Sequence, residues 1–234
     1  MLHQGDAVEF LAKLPPESID CVVTDPAYES LEKHRAKGTT TRLKHSDASS
    51  NDWFSIFPNS RFPELFAQLY RVMARNSHLY FYCDSETMFI AKPLGEAAGF
   101  KFWKPIVWDK QRIGMGYHYR SRCEFILFFE RGKRKLNSLG TPDILDGADS
   151  PVINAARVLR GYPTEKPVSV SRVLIEQSTQ PGEWVCDPFM GSGSVGEAAV
   201  VAGRKFAGND LSAKSLEITK GRLISDDELG RIGF

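Results

Sequence analysis

Apolar and polar positions along this 234-residue chain follow two periods. Seven runs read as strands: Leu2–Gly5, Ile19–Thr24, Leu79–Cys83, Lys101–Trp108, Glu124–Glu130, Trp184–Cys186 and Arg204–Gly208. Several are apolar almost throughout, as expected of parallel strands covered on both faces. Helical spacing appears between them. Phe62–Arg75 repeats apolar residues at Leu65, Phe66, Leu69, Tyr70, Val72 and Met73. Asp84 or Ser85 can cap a helix that runs toward Ala98, with Gly99 just beyond its end. Pro167 suits the first turn of a helix to Gln177, and Gly193–Val201 and Ala213–Leu223 complete the set. Strand alternating with helix predicts an α/β fold, a doubly wound and mostly parallel seven-stranded sheet.

The final two strand–helix units resemble the opening of a nucleotide-binding half: strand, glycine-rich turn, helix, strand, acidic residue. If the first strand, ending Gly5-Asp6, joins the sheet after that unit, the order is circularly permuted. Such a rearrangement is easy where the termini of a domain lie close together. Glu29–Asn51 and Lys133–Tyr162 are polar or rich in Gly and Pro, and are too long for passive loops. No linker isolates a second domain, so 1–234 reads as one.

Composition narrows the class. With 42% hydrophobic and 25% charged residues the chain is ordinary globular material. The start Met1–Asp6 lacks the features of a signal peptide, and no apolar run spans a bilayer, which predicts a cytoplasmic protein. Cys21, Cys83, Cys123 and Cys186 stand singly in or beside apolar runs and read as free thiols in a reducing compartment. Neither they nor the five histidines have metal-ligand spacing, so no metal is expected. Net charge is only +1, but ten Lys or Arg face three acids between Lys101 and Lys135, and five face two between Glu29 and His45. This segregation can present a basic face to a polyanion.

Two polar turns sit where buried strands should end. Asp25-Pro26-Ala27-Tyr28 can hold an aromatic amine, whose lone pair is delocalised into its ring. Two acceptors on its N–H groups, the Asp25 carboxylate and the Pro26 carbonyl, turn that lone pair outward. Aspartate is a weak base, so its work is orientation and electrostatics. Tyr28 offers a ring face for stacking on a base. In isolation such a turn is more often a helix cap beside a core tyrosine. Asp187-Pro188-Phe189-Met190-Gly191-Ser192-Gly193 lets a backbone approach a ligand at a helix N-terminus, without the lysine of a phosphate loop. Asp210, at the end of the next strand, can accept from a ribose hydroxyl or cap the last helix. Thr164-Glu165-Lys166-Pro167 places a lysine by a helix N-terminus, a setting for a carboxylate.

Together, and in this order, these turns resemble the beta group of DNA amino-methyltransferases, which methylate adenine N6 or cytosine N4. Gly5-Asp6, Leu14-Pro15-Pro16-Glu17-Ser18-Ile19-Asp20, Trp108-Asp109-Lys110 and Arg122-Cys123-Glu124 are similar too, and the likeness covers roughly Met1–Arg222. It implies a Rossmann-like sheet, S-adenosyl-L-methionine as cofactor and DNA as partner, with base flipping before transfer. Asp25, Pro26 and Tyr28 would hold the base. Asp187, Phe189, Gly191 and Gly193 would line the cofactor, Lys166 would lie near its carboxylate, Asp210 at its ribose and Asp6 at its adenine. Ala27 stands where the family has a second proline, and Tyr162 where it often has histidine. Asp25 favours adenine, since cytosine-specific relatives more often begin this turn with serine. Cytosine N4, an RNA or protein amide, or a silent cofactor- or DNA-binding regulator are the alternatives. Lys33, Arg35, Lys37, Arg42, Lys44, Tyr117, Arg120 and Arg122, on segments 29–51 and 114–162, are the expected DNA contacts. The family also implies a setting in restriction–modification, in a bacterial or phage-infected cell. A homodimer is its frequent form, though this sequence leaves the oligomeric state open.

Overall fold

A computed structural model describes residues 1–30, 55–111, 113, 118–146 and 165–231, with the side chains of the final helix described to Leu223. In chain order the elements are β1 (Leu2–Gln4), α1 (Ala7–Lys13), β2 (Ile19–Thr24), a 3-10 turn (Asn59–Arg61), α2 (Phe62–Val72), β3 (Met73–Cys83), α3 (Met88–Ala97), β4 (Lys101–Asp109), β5 (Cys123–Arg131), β6 (Ile144–Leu145), α4 (Val168–Ser178), β7 (Trp184–Asp187), α5 (Ser194–Val201), β8 (Lys205–Asp210) and α6 (Ala213–Arg231).

The strands form one sheet in the order β1-β8-β7-β2-β3-β5-β4-β6. Among the described strands only β5 is antiparallel to its neighbours, β3 and β4. Side chains alternate along β3. Leu79, Phe81 and Cys83 join one apolar cluster, with Phe10 and Leu11 of α1 and Phe62, Leu65, Phe66 and Leu69 of α2. Tyr80 and Tyr82 join the other, with Val170 and Leu174 of α4 and Val195 and Ala198 of α5. Burial on both faces is why the strand sequences read as continuous apolar runs.

The sheet has eight strands where the pattern predicts seven. The extra one, β6, is two residues long and pairs with Val107 and Trp108 of β4; two residues cannot show a period. The boundary after α2 also moves. Apolar spacing carries the helix to Arg75, yet it stops at Val72. The amides of Glu17 and Ser18 donate to the carbonyls of Arg71 and Val72, so the last turn finds partners outside the helix. Met73 then opens β3 opposite Ile19. The permuted order holds: β1 lies parallel to β8, with Leu2 opposite Gly208, and the Gly5 amide donates to the Asp210 carbonyl at 3.0 Å.

Candidate active site

Strands β2 and β7 are hydrogen-bonded neighbours, with Cys21 opposite Val185 and Val22 opposite Cys186. From this pair the chain winds outward in opposite directions, through β3 on one side and β8 on the other. Ligands of open α/β sheets bind beyond the carboxyl ends of strands at such a switch point. Both polar turns lie there. The Thr24 hydroxyl, at the end of β2, donates to Asp187 Oδ1 at 2.8 Å, at the end of β7.

The glycine turn is braced from below. Asp187 also accepts from the Phe189 amide at 3.0 Å. Its carboxyl is buried, and burial, reinforced by Asp25 and Asp210, raises its pKa to about 7. Asp210 accepts from the Gly191 amide at 3.0 Å and the Ser212 amide at 2.8 Å. Burial raises its pKa as well, against those hydrogen bonds. It is thus a cap for the entry to α6 and a brace for the turn. Gly193 has φ +81°, a region that favours glycine, and caps α5. Asn209, which the sequence does not single out, donates to the carbonyls of Gly5 at 3.0 Å and Pro188 at 3.1 Å, tying β1 to the turn.

The Asp25-Pro26-Ala27-Tyr28 turn is held by charge. Tyr28 donates its hydroxyl to Asp25 Oδ1 at 2.9 Å. Its ring is 8% exposed and belongs to the first apolar cluster. The ring packs against the core while the hydroxyl orients the acid. Burial, with the nearby carboxylates, holds that phenol well above its usual pKa. Lys166 lies 2.7 Å from Asp25 Oδ2 and 2.9 Å from Glu124 Oε2, so its ammonium is committed to two carboxylates of the protein. Burial opposes the lysine's charge, but Asp25 and Glu124 more than offset it and raise its pKa.

Other expected residues are placed differently from one another. Asp6 caps α1 through the amides of Val8 and Glu9, and pairs with Arg61 at 2.6 and 3.0 Å. That arginine holds the Asp6 carboxyl below its usual range. Arg61 lies 5.1 Å from the Phe57 ring, which meets Phe189 edge-on at 5.1 Å. The Phe57 amide donates to the Ala27 carbonyl at 2.8 Å, so Phe57 bridges the two turns. An aromatic in a proline-bounded stretch gives no sequence signal for this. Arg122 grips Asp109 at 2.7 and 2.6 Å and is exposed, as is Arg120. Lys33, Arg35, Lys37, Arg42, Lys44 and Tyr117 lie outside the described residues. Cys21, Cys83, Cys123 and Cys186 are free thiols. Among the described residues no group of three metal-ligating side chains forms, and no helix is long and apolar enough to cross a membrane.

The model of the N6/N4 DNA methylase family matches residues 19–221. The type II methyltransferase M2.DpnII of Streptococcus pneumoniae is 25% identical over 244 residues, covering 97% of this chain and 91% of its own. The DNA adenine methyltransferase YhdJ of Escherichia coli K12 is 26% identical over 266 residues, covering 97% and 85%. Among solved structures, the M1.HpyAVI–SAM complex has a TM-score of 0.69 at 22% identity, covering 95% of this chain and 99% of that one. The cytosine-N4-specific PvuII DNA methyltransferase has a TM-score of 0.70 at 16% identity, covering 99% and 90%. The family match runs through both turns and the sheet that joins them, and this chain belongs to the N6/N4 DNA methylases.

Proposed function

We propose that this chain transfers a methyl group from S-adenosyl-L-methionine to the N6 amine of adenine in DNA. The observation that carries the reading is the Thr24–Asp187 bond, which fixes the end of the base-holding strand against the end of the cofactor strand. S-adenosyl-L-methionine supplies a methyl on a sulfonium centre. The glycine turn suits it: Gly191 and Gly193 both have positive φ, the α5 N-terminus follows, and Phe189 is only partly covered. Asp187 and Asp210 brace that turn rather than projecting freely from it.

On the base side, Asp25 keeps acceptor capacity after Tyr28 and Lys166 are served, because each carboxylate oxygen has two lone pairs. It and the Pro26 carbonyl receive the two amine N–H groups, and the ring of Pro26 fixes the backbone that carries that carbonyl. Asp6 and Lys166, assigned by resemblance to the cofactor, would have to share Arg61 and Asp25 with it. Arg120, Arg122 and the basic residues between 33 and 44 would meet phosphates. A DNA substrate puts the reaction in a bacterial or phage-infected cytoplasm.

Asp25 favours adenine, and YhdJ is named an adenine methyltransferase. The PvuII structure, named cytosine-N4-specific, favours a second reading, transfer to cytosine N4. Labelled methyl transfer to unmethylated genomic DNA, followed by nucleoside analysis, separates them: N6-methyladenine is expected, and N4-methylcytosine alone overturns the first reading. Asp25→Ala should lower the transfer rate by roughly 10²–10³-fold while cofactor binding persists. An unchanged rate removes Asp25 from the mechanism.

A further inference from the structure

Glu124 is a charged residue at the head of an apolar strand, Phe125–Phe129, and has no part in either turn. It lies in β5, whose reversed direction brings its first residues to the end of the sheet where β2 and β3 finish. There Glu124 Oε2 is 2.9 Å from Lys166 and Oε1 is 3.3 Å from Lys110. Lys166 continues to Asp25 at 2.7 Å, with its ammonium 5.4 Å from the Tyr82 ring centre. The result is a line of alternating charge, Lys110–Glu124–Lys166–Asp25, with no net charge. It ends on the carboxylate proposed to hold the amine.

We propose that Glu124 is a positioning residue for methyl transfer, acting through Lys166 on Asp25; this rests on the assignment of Asp25 above. A lysine stem has four flexible carbons and a point charge, so one carboxylate alone leaves its ammonium free to swing. A second carboxylate 2.9 Å away holds it by charge attraction, which is weakly screened in this buried setting. Tyr28 and Lys166 then hold Asp25 from its two oxygens, leaving the remaining lone pairs in a set direction. Without the Glu124 charge, Lys166 relies on Asp25 alone and competes with the amine for its lone pairs. The electrostatics agree: burial pushes the Glu124 carboxyl upward, and Lys166 and Lys110 more than offset it, so it stays ionised. Glu124 acts on Asp25 through the lysine, and Lys166 keeps its charge and its place by Asp25 when Glu124 is neutralised, so the effect should fall on the rate more than on binding.

The test is single-turnover transfer of a labelled methyl to unmethylated genomic DNA, with cofactor affinity and melting temperature measured on each variant. Glu124→Gln should slow transfer about ten- to a hundredfold, with cofactor affinity and melting temperature near wild type. Glu124→Asp, which keeps the charge, should fall between the two and carries the test if the glutamine variant does not fold. Lys166→Met combined with Glu124→Gln should be no slower than Lys166→Met alone. The proposal is overturned if Glu124→Gln transfers within a factor of two of wild type. It is equally overturned if the double variant shows the product of the two single losses, or if rate and cofactor affinity fall together in both Glu124 variants. Asp25→Ala in the same assay keeps the two readings apart. Full activity there removes the Asp25 assignment, whereas an inactive Asp25→Ala beside a fully active Glu124→Gln removes only the role of Glu124.

Discussion

Asp187 has a carboxyl whose ionisation the fold resists. In an unfolded chain it titrates near 3.8, and in the folded protein near 7, chiefly because it is buried. The folded state therefore binds the proton more tightly. The stability this contributes is complete below about pH 4 and is lost as pH rises through about 7. Asp187→Asn keeps an oxygen for Thr24 and Phe189 and cannot ionise. Between pH 4 and 7, wild-type stability should fall relative to the variant by an amount on the order of 4 kcal/mol, an upper bound. Denaturant unfolding of both proteins at pH 4 and pH 8 checks this, and a difference that does not change with pH refutes it. The acids at strand ends are legible in the sequence because a carboxylate that closes an apolar run has few bland uses. Their partners are not. Lys166 stands out as a charge beside a helix start, but nothing in the chain's order says that it meets Asp25 and Glu124. Tyr28 reads as a platform because its neighbours suggest a base site, and nothing in the chain's order says that its ring also packs on the core and its hydroxyl meets Asp25.

Helix α5 and the turn before it depend on close packing. A Cβ on Gly193 would lie 2.6 Å from Thr219 Oγ1 of α6, at a φ of +81°. Gly193→Ala should cost more than about 1 kcal/mol through strain alone, and should weaken cofactor binding by shifting the turn. A thermal melt and a cofactor titration test both, and an unchanged melt refutes the strain argument. Helix α6 carries a second brace. Arg222 is buried, pairs with Glu165 and with Glu197 at 2.7 Å, and donates to the Ser192 carbonyl at 2.9 Å. It thereby joins the residue before Lys166 to the glycine turn. Arg222→Met leaves the buried Glu165 carboxylate and the partly buried Glu197 carboxylate without their cation, and unfolding measurements should show a loss of about 3–5 kcal/mol. Adding Glu165→Gln should recover part of it. Glycines make the ends of α3 and α5 readable, with Gly99 and Gly203 just past them and Gly193 before α5, whereas α3 starts at Met88, beyond the expected cap Asp84, whose carboxylate accepts from the Thr87 amide instead. The end of α2 is not readable, since Glu17 and Ser18 complete it from a distant part of the chain.

For the whole molecule, strand–helix alternation carries the layered architecture, and a glycine turn late in the chain carries the return of β1 beside β8. The antiparallel insertion of β5 is invisible, because direction leaves no trace in an apolar run. Charge segregation leads to a prediction at this scale. Replacing Lys33, Arg35, Lys37, Arg42 and Lys44 with glutamine should weaken DNA binding. It should also flatten the plot of log affinity against log salt by roughly 0.9 for every phosphate that is no longer neutralised. Fluorescence anisotropy over a salt series measures this, and an unchanged slope would take these residues off the DNA.

Because β2 and β7 are laced by main-chain bonds and the Thr24–Asp187 link, the proposed assignment would put methyl donor and acceptor on one stiff backplate. The two turns share that backplate rather than facing each other across a hinge, so the attack distance is set when the polypeptide folds and cannot be tuned by swinging lobes. The nucleotide must travel to a geometry already prepared. On the proposed function, extraction of the base and departure of the methylated strand, rather than flexing of the scaffold, would then be the slow steps of turnover.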